Sequence, residues 1–479
     1  MSLKNETIKG TIWSSIEKIS FLGIQFILQI VLARLLTPKD YGIIGILAVF
    51  IAVSNTFIDS GFTSALIQKK DRTEVDFSTA FYFNLVISMI CYSILYFSAP
   101  YIAKFYQLPI LTSITRVLSV SLIFMAISAV NRTKLQIKLD FKTQAKASLT
   151  SAILSGIIGI YLAYKGFGVW ALVAQQVSNS LFNMLFMFVL IRWKPLFVFS
   201  FTSFRKMFSY GMNLMFSNLL DNIYINFRPL IIGKFFSAST LGLYSRAYQF
   251  ASFPVNMSNS IFVRVAFPLF SKVQDDLTKL LNIYRKFLKI IFGIYIPIIF
   301  CLFLVSRPFI IVFLGNKWSG SIVLLRILSL AFMFSCFTNI NASLLLSKGY
   351  SNIVLKLNLI RKAIAISIFF IMLPFGLNAI CWGIFIYGLI SLFLGMFFVN
   401  KNFNLNYKIQ IFDILPIYIV SIICTIISYL MFMSIISNIL QLILLTVSFG
   451  TLYLSISWFF KFDFLTEGIN LLNKKLLNK

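Results

Sequence analysis

The chain has 479 residues, 59% of them hydrophobic and 12% charged, and its 42 Lys and Arg against 14 Asp and Glu give a formal charge of +28. A water-soluble fold of that composition would leave too much apolar surface exposed. There is no histidine, which excludes imidazole acid–base catalysis, proton relays and metal ligation.

Apolar runs of about 20 residues, each enough to cross a bilayer as a helix, recur from end to end. Fourteen spans are predicted, near 11–33, 42–60, 79–103, 113–131, 147–164, 169–191, 208–227, 242–267, 287–306, 322–346, 357–374, 378–399, 411–433 and 437–460. Span one is polar for a lipid-facing helix: Glu17 neighbours Lys18, and Gln25 and Gln29 share a face with Lys18. Asp59 closes span two ahead of Gly61, where a cap or interface role competes with ion coupling. Arg116 opens span four and Arg326 span ten, either as cations for an anion or as side chains that snorkel to the interface. Span seven carries Asn218, Asn222 and Asn226 at steps of four, with Asp221 and Arg228 seven apart on nearly one side. In span eight Arg246, Gln249, Phe253 and Asn256 recur at steps of three and four. Each amide stripe is readable as a cavity lining or as interhelical hydrogen bonding. Pro254 and Pro297 predict kinks. The longest loop, 269–286, reads as an amphipathic interfacial segment. The cysteines, Cys91, Cys301, Cys336, Cys381 and Cys424, sit in apolar runs without ligand spacing.

Loop charge sets the orientation. With the N-terminus in the cytoplasm, 30 of the 42 Lys and Arg fall in cytoplasmic loops or the span ends that adjoin them, seven in outer loops, and five within spans or at their outer ends. That asymmetry fits a multi-pass bacterial inner-membrane protein with both termini inside, and explains the basic charge without nucleic acid.

The chain repeats itself with a shift of 200 residues. ARLLTPKDYGIIG from Ala33 matches GKFFSASTLGLYS from Gly233, setting Arg34 against Lys234, Thr37 against Ser237 and Gly42 against Gly242. The predicted fold is all-α: two six-helix lobes in parallel repeat, 1–200 and 201–400, and two further helices with a cytoplasmic tail over 401–479.

The segment LARLLTPKDYGIIGILAVFIAVSNTFIDSGFTSALIQKKD (32–71) resembles the opening of polysaccharide transporters of the multidrug/oligosaccharidyl-lipid/polysaccharide exporter superfamily. FYFNLVIS (81–88), IAKFYQLPIL (102–111), KLDFKTQAKASL (138–149) and LGLYSRAYQFASFPVNMSNSIFVRVAFPLFS (241–271) are similar to later family segments. The resemblance implies a flippase that moves undecaprenyl-diphosphate-linked oligosaccharide repeats to the periplasmic leaflet for O-antigen, capsule or exopolysaccharide synthesis, with polymerase machinery as a partner.

A diphosphate crossing oil needs cations, and arginine fits phosphate oxygens best. Arg246, Arg228, Arg116, Arg326 and Lys18 are the candidates for it. Gln25, Gln29, Asn218, Asn222, Asn226, Gln249 and Asn256 are candidates for the glycan. Asp221, Glu17 and Asp59 are candidates for coupling to H+ or Na+; for Asp221 the rival is a salt bridge to Arg228 or Arg246. No cofactor and no enzyme activity are expected. A drug or cation exporter of the same fold would need an acid-dominated cavity. A membrane glycan polymerase or ligase would need a sizeable outer loop, and a structural scaffold would give no reason for buried charges.

Overall fold

In the computed structural model the described residues are 20–21, 23–59, 61–261 and 266–466; Glu17 and Lys18 lie outside them. They form helices throughout, with no strand among them. The chain divides into two compact units, 1–245 and 246–479.

Unit one holds α1 (Gly23–Leu35), α2 (Pro38–Asp59), α3 (Phe62–Gln68), α4 (Glu74–Tyr106), α5 (Ile110–Ile137), α6 (Phe141–Tyr164), α7 (Val169–Ile191), α8 (Phe201–Phe235) and the opening of α9 (Ala238–Ile261). Local chemistry fixes these ends. Thr73 and Asp76 close a capping box on α4, Asp140 accepts from the Thr143 amide, and Ser200 accepts from the Ser203 amide. Gln107 and Arg192 end α4 and α7 in the left-handed conformation. α4 packs on α5, α6 on α7, α5 on α7, and α8 runs along α2.

The two segments aligned in sequence meet inside this unit. Thr37 caps α2, its amide and hydroxyl both donating to Asp40; Ser237 caps α9, accepting from the Thr240 amide. A Cβ on Gly42 would lie 1.6 Å from the Ala238 oxygen, and one on Gly242 would lie 1.8 Å from the Pro38 oxygen. Each glycine thus admits the first turn of the other helix, and the contact is reciprocal.

Unit two continues with α10 (Phe267–Lys272), α11 (Leu277–Phe313), α12 (Ser321–Phe332), α13 (Ser335–Ser347), α14 (Ser351–Met372), α15 (Leu377–Phe403), α16 (Tyr407–Phe432) and α17 (Asn438–Phe459). α11 is its spine, packing on α12, α16 and α17. The last two helices are clamped to it. Arg285 donates Nε and Nη2 to the Asp413 carboxylate at 2.6 and 2.9 Å, Tyr453 donates to the Gly293 carbonyl at 2.8 Å, and Gly293 leaves room for the Phe464 ring.

Ten helical segments among the described residues are long and apolar enough to cross a membrane. In their described residues the other four expected spans are helical too, as α1, α8, α9 and α14, but are shorter or more polar. α14 is polar because Lys356, Arg361 and Lys362 lie inside it. Arg361, counted with the cytoplasmic charges at the start of its expected span, is 3% exposed and donates to the Ser391 carbonyl at 3.2 Å. The expected interfacial loop is corrected as well: from Leu277 it is the start of α11, capped by Asp276 accepting from the Lys279 amide at 2.9 Å. α9 and α11 run through Pro254 and Pro297 as continuous helices.

Candidate functional site: a polar cavity in unit one

A cavity of about 460 Å³ opens in unit one, lined by α5, α6, α7 and Phe21. Its polar wall follows from helical spacing. α5 contributes Ser128, Arg132 and Gln136 at steps of four. α6 contributes Gln144 and Ser148, and α7 contributes Asn179, Asn183 and Met187 at the same step, with Ser180 between them. Arg132 is exposed to this space and donates Nη2 to the Asn183 Oδ1 at 3.3 Å. Deeper in, Ser155 reaches Asn179 Oδ1 at 3.5 Å. Among the described lining residues Arg132 is the one charged side chain, set amid amides and hydroxyls. Such a surface offers hydrogen bonds to sugar hydroxyls and a charge-assisted bond to an anionic oxygen.

A charged frame braces the end of the unit to which Arg132 belongs. Asp76 is fully buried and takes the Lys69 ammonium at 2.6 Å, the Thr73 amide at 2.7 Å and the Ser203 hydroxyl. Glu74 takes Lys134 at 2.7 Å and the Trp193 indole at 2.7 Å, while the Lys134 ammonium lies 4.4 Å from the Phe77 and Trp193 rings. These bonds tie α3, α4, α5, the 192–200 linker and the start of α8 into one piece.

The residues singled out from sequence fall as follows. Gln25 and Gln29 are half-buried on α1, four and eight residues after the cavity-lining Phe21. Asn222 donates to the Thr56 hydroxyl of α2 at 2.8 Å, and Asn226 to the Asn222 carbonyl at 2.8 Å; these are packing bonds. Asn218 and Asp221 are exposed on α8, and Arg228 is half-buried with its guanidinium 5.7 Å from the Phe227 ring. Asp59 is the exposed last residue of α2. In unit two Arg246 is buried and donates to Gln249 at 2.7 Å, while Gln249 and Asn256 are exposed.

Arg116 and Arg326 are held alike, each reaching back 20 residues to the preceding long helix. Arg116 Nε donates to the Tyr96 carbonyl at 3.4 Å with its guanidinium 4.3 Å from that ring. Arg326 Nε donates to Ser306 at 2.8 Å.

Sequence reasoning missed Arg132, Gln136, Gln144, Asn179 and Asn183. The signal was present as three parallel four-residue stripes. It was hidden because Arg132, Gln136 and Gln144 were assigned to a loop between spans.

Comparison with known proteins gives concordant matches. A family profile described as "Polysaccharide biosynthesis protein" matches residues 31–323. The teichuronic acid biosynthesis protein TuaB of Bacillus subtilis (strain 168) is 30% identical over 357 residues, covering 74% of this chain and 73% of that one. The lipopolysaccharide biosynthesis protein WzxC of Escherichia coli (strain K12) is 26% identical over 364 residues, covering 75% and 74%. Among solved structures, the lipid II flippase MurJ in an inward closed conformation superposes with a TM-score of 0.70 at 18% identity, over 95% of this chain and 99% of that chain.

Proposed function

The chain belongs to the polysaccharide biosynthesis protein family, and from that premise we propose that it is a flippase for lipid-linked oligosaccharides of the inner membrane. The polar head, a diphosphate-linked sugar repeat, crosses by alternating access while the lipid tail stays in the bilayer. The observation that carries this reading is the unit-one cavity: among its described lining residues, amides, hydroxyls and one arginine, inside helices whose outer faces are apolar. It receives the polar head; Arg132 meets its anionic oxygens and Gln136, Gln144, Asn179 and Asn183 its hydroxyls.

Arg246, Arg228, Arg116, Arg326 and Lys18 remain proposed diphosphate contacts at other stages of the cycle. Gln25, Gln29, Asn218, Asn222, Asn226, Gln249 and Asn256 remain proposed glycan contacts. Asp221, Glu17 and Asp59 are proposed for H+ or Na+ coupling. On the loop-charge reading both termini are cytoplasmic. Polysaccharide polymerase machinery is the proposed partner, and the chain is read as a transporter, not an enzyme. A drug or cation exporter fits less well, because an organic cation would meet an arginine and, among the described lining residues, no carboxylate.

The test is a deletion strain assayed for lipid-linked repeats left on the cytoplasmic leaflet, complemented with wild type or Arg132→Ala. The expected result is accumulation on deletion, rescue by wild type, and rescue reduced at least tenfold by the variant at equal membrane level, as for loss of a charged hydrogen bond. No accumulation on deletion sinks the function; full rescue by Arg132→Ala sinks the site.

A further inference from the structure

At the opposite end of unit one from Arg132, where α4 and α8 finish and α2 and α9 begin, two cavities share a wall. The first, about 450 Å³, is polar and basic: Lys39, Lys234, Gln107, Ser237 and Ser239 line it. The second, about 530 Å³, is an apolar groove between α2, α4 and α8, lined by Phe50, Tyr101, Ile102, Leu230, Ile231 and Phe235. Phe105, Tyr106 and Lys234 belong to both. The Lys234 ammonium is pinned at this junction, 2.5 Å from the Phe105 carbonyl and 4.1 Å from the centre of its ring.

Among the described residues no carboxylate lines either space. The nearest in sequence, Asp40, is occupied by the Thr37 amide at 2.9 Å and hydroxyl at 2.7 Å. Both lysines are exposed, and neither forms an ion pair among the described residues. The first turn of α9 adds its positive dipole end and two serine hydroxyls to the same pocket. Aromatic rings at a helix end beside an apolar groove mark the level where headgroups meet acyl chains; Tyr101 is 76% exposed and Phe235 67%. A basic, hydroxyl-rich pocket continuous with an apolar groove has the shape and charge of a lipid whose head is an anionic phosphate.

We propose that this pair of cavities is a binding site for an anionic membrane phospholipid, its phosphate on Lys39 and Lys234 and one acyl chain in the groove of Phe50, Ile102 and Ile231. A free anion would leave the groove unused, and a zwitterionic lipid would place its own ammonium against two lysines. The site is independent of the transport cavity, and the resident lipid need not be the substrate. On the loop-charge orientation it lies in the outer leaflet.

The test is native mass spectrometry of the purified full chain released from micelles containing equimolar phosphatidylglycerol and phosphatidylethanolamine. Wild type is expected to retain phosphatidylglycerol preferentially. The Lys39→Gln/Lys234→Gln double variant is expected to retain it roughly thirtyfold more weakly, as for two lysines facing an anionic surface. Lys39→Arg/Lys234→Arg should restore retention, which separates loss of charge from loss of fold. Equal retention of the two lipids, or unchanged retention by the Gln pair, overturns the proposal. So does displacement of phosphatidylglycerol by millimolar inorganic phosphate, which would show a phosphate site with no use for the tail.

Discussion

At the scale of single residues the molecule uses its charges in two ways. Arg132 lines the polar cavity, exposed and bonded to Asn183, and is proposed to meet the anionic head of a ligand. Asp76 is the opposite case, buried and saturated by Lys69, Thr73 and Ser203. Its work is structural: it closes the cap of α4 and fastens α8 to it. Replacing it with Ala opens the capping box and frees the donors of those three residues. We expect a loss of about 2 kcal/mol, combining a helix cap with a charged hydrogen bond and discounted because Lys69 can turn to water. Thermal unfolding of the detergent-solubilised variant checks this. Ser203→Ala should cost less, since it removes one bond and leaves the carboxylate its other donors.

Pairs of elements are held by two devices, close backbone approach and buried ion pairs. Gly42 and Gly242 are the first kind. A methyl on either would fall inside the van der Waals radius of a carbonyl oxygen on the facing helix, so α2 and α9 would have to separate. Gly42→Ala is expected to cost 1–3 kcal/mol or more, as overpacking does. Gly45→Ala, whose Cβ would meet only side-chain atoms at 3.5 Å, should be nearly neutral. Comparing their melting temperatures tests the reciprocal contact. The ion pair is Arg285 with Asp413, which fastens α16 to α11. Asp413 is 6% exposed and Arg285 37%, so Arg285→Ala leaves a buried carboxylate with, among the described residues, the Lys289 ammonium at 3.5 Å as its remaining ion pair. The expected result is faster proteolysis in the loop between α16 and α17 with unit one unaffected, read by limited digestion and mass mapping.

For the molecule as a whole, the exposed faces of α16 and α17 carry Ile419, Ile422, Ile426, Leu430, Leu440 and Val447, a surface that belongs in lipid. Orientation is a separate matter, and it rests on where the lysines and arginines lie. With the N-terminus inside, alkaline phosphatase fused after Gln107, between α4 and α5, should be active. The same enzyme fused after Leu139, between α5 and α6, should be inactive. The reverse pattern would invert the orientation and move the proposed lipid site to the cytoplasmic leaflet.

The apolar runs, the loop charges and the repeated segments are properties of the chain read along its length, so the all-helical membrane fold and the family were legible in the sequence. The bilayer makes them so, since it allows a spanning backbone no choice but to satisfy its hydrogen bonds locally. Which polar residues share a cavity is a property of packing between helices distant in sequence. Arg132 and Asn183 are 51 residues apart, and Arg361, counted with the cytoplasmic charges, is buried in α14. Asn222 presented the same four-residue spacing as Asn183 but spends its amide on Thr56. Periodicity gives the face of a helix; only the tertiary structure decides whether that face meets a neighbour, a ligand or lipid.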